Sequence, residues 1–145
     1  MTAGRAVNHA PAIIIANVAA ARGQVLPLSN LFWASDADGD ALQVTLFDGT
    51  ADPASGHFVV NGVAQPANQF LTLTAAQLAQ TTFQAGSVGD SLWGTAFDGT
   101  EWGPGQSFQA NVPNHAPAII VANVNAARGQ VLPLSNLFWA SDADD

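Results

Sequence analysis

The sequence has no cysteine, no lysine and no tyrosine. Without cysteine, disulfides, thiolate zinc sites and cysteine nucleophiles are excluded. Basic side chains are nearly missing as well: three Arg face ten Asp and one Glu, for a net charge of −8. So acidic a surface lacks the basic patch that phosphates require, which argues against nucleic acid and against docking on an anionic membrane. No apolar run reaches the roughly 18 to 20 residues of a membrane helix, so membrane insertion is not expected. The start, Met1-Thr-Ala-Gly-Arg-Ala-Val, has no apolar signal region. Catalytic constellations are wanting too. The only histidines are His9, His57 and His115, with no His-x-x-x-His pair, no Gly-x-Ser-x-Gly elbow and no phosphate-cradling glycine loop. His57 lies near Ser55 but no orienting acid is evident, and no enzyme is expected.

What is present is a repeat. Residues 8–38 and 114–144 agree at all but two of 31 positions, Ile15 becoming Val121 and Ala19 becoming Asn125, at an offset of 106 residues. That period is too long for a solenoid, whose repeats run about 20 to 50 residues, and suits separate domains in a string. The expected organisation is a leader or linker at 1–7, one complete repeat at 8–113, and the first third of the next at 114–145. Near-identity between copies suggests recent tandem duplication, so the chain reads as an excerpt of a longer exported protein.

Thirteen Gly and eight Pro among many Val, Thr and Ala suggest short strands and frequent turns. Expected strands are Ala12 to Val18, Gln24 to Leu28 (an edge, given Pro27), the alternating Leu42 to Phe47, His57 to Val60, Gln69 to Thr72, Thr82 to Ala85, Ser91 to Phe97 and Ser107 to Val112. Asn61-Gly62 predicts a hairpin turn, with the return strand beginning at Val63. Ser29 to Trp33 reads as a single helical turn capped by Ser29, and Thr74 to Gln80 as one short helix capped by Thr74. About seven short strands in some 100 residues predict an all-β fold, an antiparallel β-sandwich with one short helix.

The acids cluster. Asp36-Ala-Asp38-Gly39-Asp40 places three carboxylates within five residues. Uncompensated, they repel; a hard divalent cation removes that cost, and Ca²⁺ favours 6 to 8 oxygen ligands. The spacing overlaps an EF-hand loop, but its twelfth position holds Phe47 rather than Glu, so an EF-hand is rejected. The loop by itself fits either a metal site or a solvated turn. Asp48-Gly-Thr and Asp98-Gly-Thr-Glu101 each read as turns with Gly taking positive φ, or, for Asp98 and Glu101, as ligands from a polar loop. Asp90 reads as an ordinary turn residue. Among the tryptophans, Trp33 is expected in core or linker packing and Trp93 buried in a strand. Trp102 is expected exposed in its loop, where it either clips the loop or stacks on a sugar ring.

The segment Phe32-Trp-Ala-Ser-Asp36-Ala-Asp38-Gly39-Asp40-Ala-Leu42 resembles the signature of cadherin-like domains. Asn111-Val-Pro-Asn114-His-Ala-Pro117, with its earlier copy Asn8-His-Ala-Pro11, is similar to the cadherin linker. Together with Asp98-Gly-Thr-Glu101-Trp102 and Ser55-Gly-His-Phe-Val-Val-Asn-Gly, the set resembles bacterial cadherin-like repeats of large surface adhesins and RTX-type exported proteins. The resemblance spans the whole 106-residue unit. It implies an extracellular, Ig/cadherin-like sandwich with Ca²⁺ at the junctions between neighbouring repeats. Asp36 and Asp38, joined by Asn8 or nearby carbonyls, would be ligands at one pole, and Asn114, Asp142 and Asp144 would repeat that site. The extra acids of animal cadherin linkers and the glycine-rich nonapeptides of RTX toxins are both missing, so one ion per junction and no β-roll are expected. Three roles follow as expectations: a calcium-stiffened spacer and adhesion unit of an adhesin or biofilm protein; a calcium-dependent lectin for cell-surface or matrix polysaccharide using Trp102; and strand exchange, in which 114–144 takes the slot of 8–38 in another copy to give a swapped homo-oligomer.

Overall fold

A computed structural model describes residues 7–144. The expected leader, 1–7, therefore lies outside the described residues except for Val7, as does Asp145. The chain forms two compact units, one up to Pro113 and one from Asn114.

The regular structure of the first unit is almost all strand. In chain order they are β1 (Ala12–Ile15), β2 (Val18–Ala19), β3 (Val25–Pro27), β4 (Phe32–Ser35), β5 (Gln43–Asp48), β6 (His57–Val60), β7 (Val63–Ala64), β8 (Phe70–Thr74), β9 (Thr81–Gln84), β10 (Asp90–Phe97) and β11 (Gln106–Asn111). One helix, α1 (Ala75–Ala79), lies between β8 and β9. A five-stranded sheet has the order β2-β11-β10-β5-β8, a four-stranded sheet the order β3-β9-β6-β7, and β1 pairs with β4 as a ribbon. All pairings are antiparallel except β2 on β11.

Alternation explains which side chains turn inward. Leu46 and Leu92 from the five-stranded sheet, Phe58 and Phe83 from the four-stranded sheet, and Ile13 and Phe32 from the ribbon join one buried apolar cluster. The Phe58 and Phe83 rings meet edge to face at 5.5 Å. Gly94 of β10 has no room for a side chain: a Cβ there would lie 2.6 Å from the Phe32 ring. That glycine lets the ribbon seat against the sheet.

Local chemistry sets the turns. Asn61 and Gly62 both take positive φ (52° and 80°), the conformation a two-residue hairpin demands between β6 and β7. Thr74 caps α1 through a reciprocal pair, its hydroxyl accepting from the Gln77 amide while the Gln77 side chain accepts from the Thr74 amide.

Four expectations need correction. The apolar run Ala12 to Val18 is two strands, because the chain leaves β4 at Ala16-Asn17 and crosses to β11. There the Ala16 amide donates to the Leu31 carbonyl, and Asn17 Oδ1 accepts from the Gln109 amide. The turn after Pro27 is a 3-10 turn over Leu28–Asn30 without a side-chain cap, so Ser29 is not its N-cap, and Phe32 and Trp33 belong to β4. Trp33 is exposed, since Phe32 takes the inward place on β4 and Trp33 turns outward opposite Ile14. Asp90 is no turn residue: it opens β10 and is buried.

The second unit contains β12 (Ala118–Val121) and β13 (Phe138–Ser141), an antiparallel ribbon with a 3-10 turn at Leu134–Asn136. Most of its large apolar side chains, among them Ile119, Val121, Leu134 and Phe138, are exposed, with Leu132 and Leu137 half-buried.

Candidate functional site

In the first unit, β10 and β5 run antiparallel, Phe97 facing Gln43 at one end and Leu92 facing Asp48 near the other. Three chain segments meet at the Phe97 end: Asn8-His9 before β1, the loop 36–42 between β4 and β5, and the turn 98–102 after β10.

The 36–42 loop folds on its own first aspartate. Asp36 Oδ1 accepts from the amides of Asp38 (2.8 Å) and Asp40 (3.3 Å), and the Asp36 carbonyl accepts from the Gly39 amide at 3.2 Å. Gly39 has φ +76°, a conformation that brings the chain back sharply. As a result, one carboxylate oxygen from each of Asp36, Asp38 and Asp40 lies within 4.8 Å of the others. The turn 98–102 is built in the same way. Asp98 Oδ1 accepts from the Thr100 and Glu101 amides, each at 2.7 Å.

Asn8 and His9 tie the two acidic loops together. Asn8 Nδ2 donates to Asp98 Oδ2 at 2.9 Å and to Glu101 Oε2 at 3.0 Å. The neighbouring His9 amide donates to Asp38 Oδ2 at 2.7 Å, and the His9 ring Nδ1 lies 3.0 Å from Asp38 Oδ1. Asn8, Asp36, Asp38, Asp40, Asp98 and Glu101 therefore share one end of the unit. Two oxygens there, Asp36 Oδ2 and Asn8 Oδ1, are buried without a hydrogen-bond partner. A buried acceptor left so costs about 1–3 kcal/mol, more when charged. The donor set is oxygen only and acidic, suited to a hard divalent cation.

The second unit repeats the local part of this geometry. The His115 amide and ring Nδ1 each lie 2.6 Å from an Asp144 oxygen, and Asp142 Oδ1 accepts from the Asp144 amide at 2.8 Å. The hydrogen bond to Asp144, whose carboxylate accepts, raises the His115 pKa above its ordinary value. Asn114 donates to the His115 carbonyl at 3.4 Å.

Trp102 stands apart from the acids. It is exposed, stacks on Phe97 at 4.7 Å between ring centroids, and forms one wall of an open groove of about 310 Å³ on the outer face of the five-stranded sheet. Phe70 and Trp93 line the same groove, their rings 6.2 Å apart. Trp93 is only half-buried there.

Four residues take places that their local sequence does not announce. His9 and His115 look like linker residues, and only the fold sets each against an aspartate 29 positions away. Asp48 and Asp90 read as turn residues but are both buried. Burial pushes the Asp48 carboxyl up to about 6, with the Thr50 amide opposing and the charge of Asp90 adding. Asp90 is raised by the same cause, opposed by the Gly56 amide that it accepts from and by the nearby Ser55 hydroxyl and His57, with Asp52 adding. No family model, curated protein or solved structure matches the chain.

Proposed function

We propose that the chain is a non-enzymatic, calcium-stabilised tandem repeat of an exported adhesin or biofilm protein, acting as a stiff spacer and adhesion unit with an Ig/cadherin-like β-sandwich as its repeat. The observation that carries this reading is the convergence of Asp36, Asp38 and Asp40 within 4.8 Å, beside two buried oxygens without partners. Topology supports the string. Asn8 enters the unit beside Asp98, after the last residue of β10, whereas β11 ends beside Asp90, at its start. Eight residues of extended chain separate the two, about 26 Å at roughly 3.3 Å each. Entry at one end and exit at the other suit a unit repeated along a chain.

Extracellular calcium modules bind with dissociation constants of about 10⁻⁴ to 10⁻³ M, so millimolar calcium outside a cell would fill such sites. Binding to the folded state alone then adds stability. Thermal melting in chelator and in millimolar CaCl₂ tests this: calcium raises Tm, and Asp36→Asn with Asp38→Asn abolishes the rise contributed by this site. An unchanged Tm in both proteins sinks the calcium reading.

A second reading is a lectin-like module for polysaccharide. The groove between Phe70, Trp93 and Trp102 favours it, since exposed aromatic faces stack on sugar rings. Glycan binding that survives Trp102→Ala removes its support.

A further inference from the structure

The five-stranded sheet carries a second acidic pair at the end away from the Asp36 loop. Asp48 is paired with Leu92 across β5 and β10, and Asp90 stands two residues before Leu92. Side chains two apart on a strand share a face. Both carboxylates thus leave the sheet on the side where Leu46 and Leu92 are buried. Asp48 is 2% exposed and Asp90 3%. Each uses one oxygen: Asp48 Oδ1 accepts from the Thr50 amide at 2.9 Å, and Asp90 Oδ1 from the Gly56 amide at 2.7 Å. In each the other oxygen, Oδ2, is buried with no hydrogen-bond partner. Among the described residues neither carboxylate has a salt-bridge partner.

We propose that a hard divalent cation bridges Asp48 Oδ2 and Asp90 Oδ2, making this pair a second metal site independent of the Asp36 loop. Two carboxylates match the ion's charge, and an all-oxygen donor set selects Ca²⁺ or Mg²⁺ over softer metals. Thr50 and Gly56, whose amides bond the two carboxylates, wall an open groove of about 450 Å³ together with Asp52 and Ser55. The loop after β5 also gives the site a mechanical role. Gly56 immediately precedes β6 of the four-stranded sheet, while Asp48 and Asp90 belong to the five-stranded sheet. An ion held by the two aspartates fixes the end of one sheet, and the Gly56 amide carries that anchorage to the other.

The test uses the full chain carrying Asp36→Asn and Asp38→Asn, so the first site is silent. Millimolar CaCl₂ or MgCl₂ raises the Tm of this protein by about 4–8 °C over chelator, the shift that follows from about 1 kcal/mol in a domain of this size. Adding Asp48→Asn and Asp90→Asn removes the rise. Crystals of the unsubstituted chain soaked in MnCl₂ give an anomalous peak between Asp48 and Asp90, a readout that stands even if the fourfold variant does not fold. No peak there, or a Tm of the Asp36/Asp38 variant indifferent to both cations, overturns the proposal. A peak at Asp48 and Asp90 with none at Asp36 keeps it and sinks the first site instead.

Discussion

Residues 8–38 and 114–144 are almost the same peptide in two settings. Some structure is common to both. β1–β4 and β12–β13 pair in the same register, Ala12 with Ser35 and Ala118 with Ser141. Both segments have the 3-10 turn, and both fold the aspartate loop with a 2.8 Å bond back to its first carboxylate. The rest differs. β2 and β3 have no counterpart in the second copy, because their hydrogen-bond partners are β11 and β9, which lie outside the repeated segment. Ile13 is 5% exposed and Ile119 63%; Phe32 is 2% exposed and Phe138 42%. Ribbon, turn and acidic loop are thus written locally, whereas burial and the two short strands are conferred by residues 39–113. The same contrast bears on strand exchange. Seating 114–144 of one molecule in the slot of another frees an equivalent 8–38, so the number of filled slots is unchanged. The tethered copy keeps the slot until protein concentration approaches the effective concentration of its tether, roughly millimolar.

The largest expected effect is a pair of identical substitutions. Phe32→Ala removes a ring from the core cluster and should cost about 3–5 kcal/mol. Phe138→Ala removes an exposed ring and should change stability by about 0.5 kcal/mol or less. Urea unfolding of the two variants measures both, and equal losses would mean that the second copy is buried after all.

The next effect separates the conferring residues from the conferred. Asp48 lies in 39–113 and has no counterpart in 114–144. Its folded pKa, raised from 3.8 to about 6, means that its contribution to stability is full below 3.8 and is lost as pH rises through about 6. At 1.36 kcal/mol per pKa unit the loss amounts to about 3 kcal/mol in the absence of a cation. In chelator at pH 8, Asp48→Asn should therefore stabilise the first unit by up to that amount, with no gain at pH 3. Urea midpoints across that range give the profile, and a flat difference would contradict the burial of this carboxylate.

Amide hydrogen exchange sharpens the comparison residue by residue. The Ala20 amide donates to the Asn111 carbonyl at 2.7 Å, a bond made only by the complete unit. Ala126, its counterpart, lies outside any strand. Ala16 and Ala122 instead make the same local bond, each 2.9 Å, to Leu31 and Leu137. Protection at Ala20 should exceed that at Ala126 by at least about tenfold, a difference of some 1.4 kcal/mol in opening free energy. Similar protection at both would place β2 among the locally encoded elements.

The division between local and conferred structure also explains what could be read in advance. The all-β composition, the Asn61-Gly62 hairpin and the Thr74 cap depend on neighbours within a few residues, and alternation and turn chemistry report them. The exposure of Trp102 is likewise legible from its Gly-Pro-Gly loop. The break at Ala16-Asn17 was hidden because Asn17 finds its partner at Gln109, 92 residues away. The outward turn of Trp33 followed from Phe32 winning the inward place against Gly94. Asp90 looks like a turn residue because its partner amide, Gly56, comes from a distant segment, the loop that leads into β6 of the other sheet. For the acidic cluster, spacing brought Asp36, Asp38 and Asp40 to notice, but nothing local pointed to His9 as the residue that meets Asp38.

The smallest effect concerns that histidine in its second setting. His115 sits against Asp144 with its ring exposed, and the aspartate hydrogen bond raises its pKa above the ordinary value. The protonated ring is favoured when the loop is folded. The stabilisation is therefore complete below the ordinary histidine pKa and fades as pH rises through the raised one. Solvent screening at so exposed a site keeps it small. An NMR titration should find His115 above a model histidine, and Asp144→Asn should return it to that value. Because the pairing needs only residues 115 and 144, Phe32→Ala, which loosens the first unit, should leave the His115 curve where it was. A His115 pKa that fell with Phe32→Ala would show that the second acidic loop depends on the first unit and is not written locally.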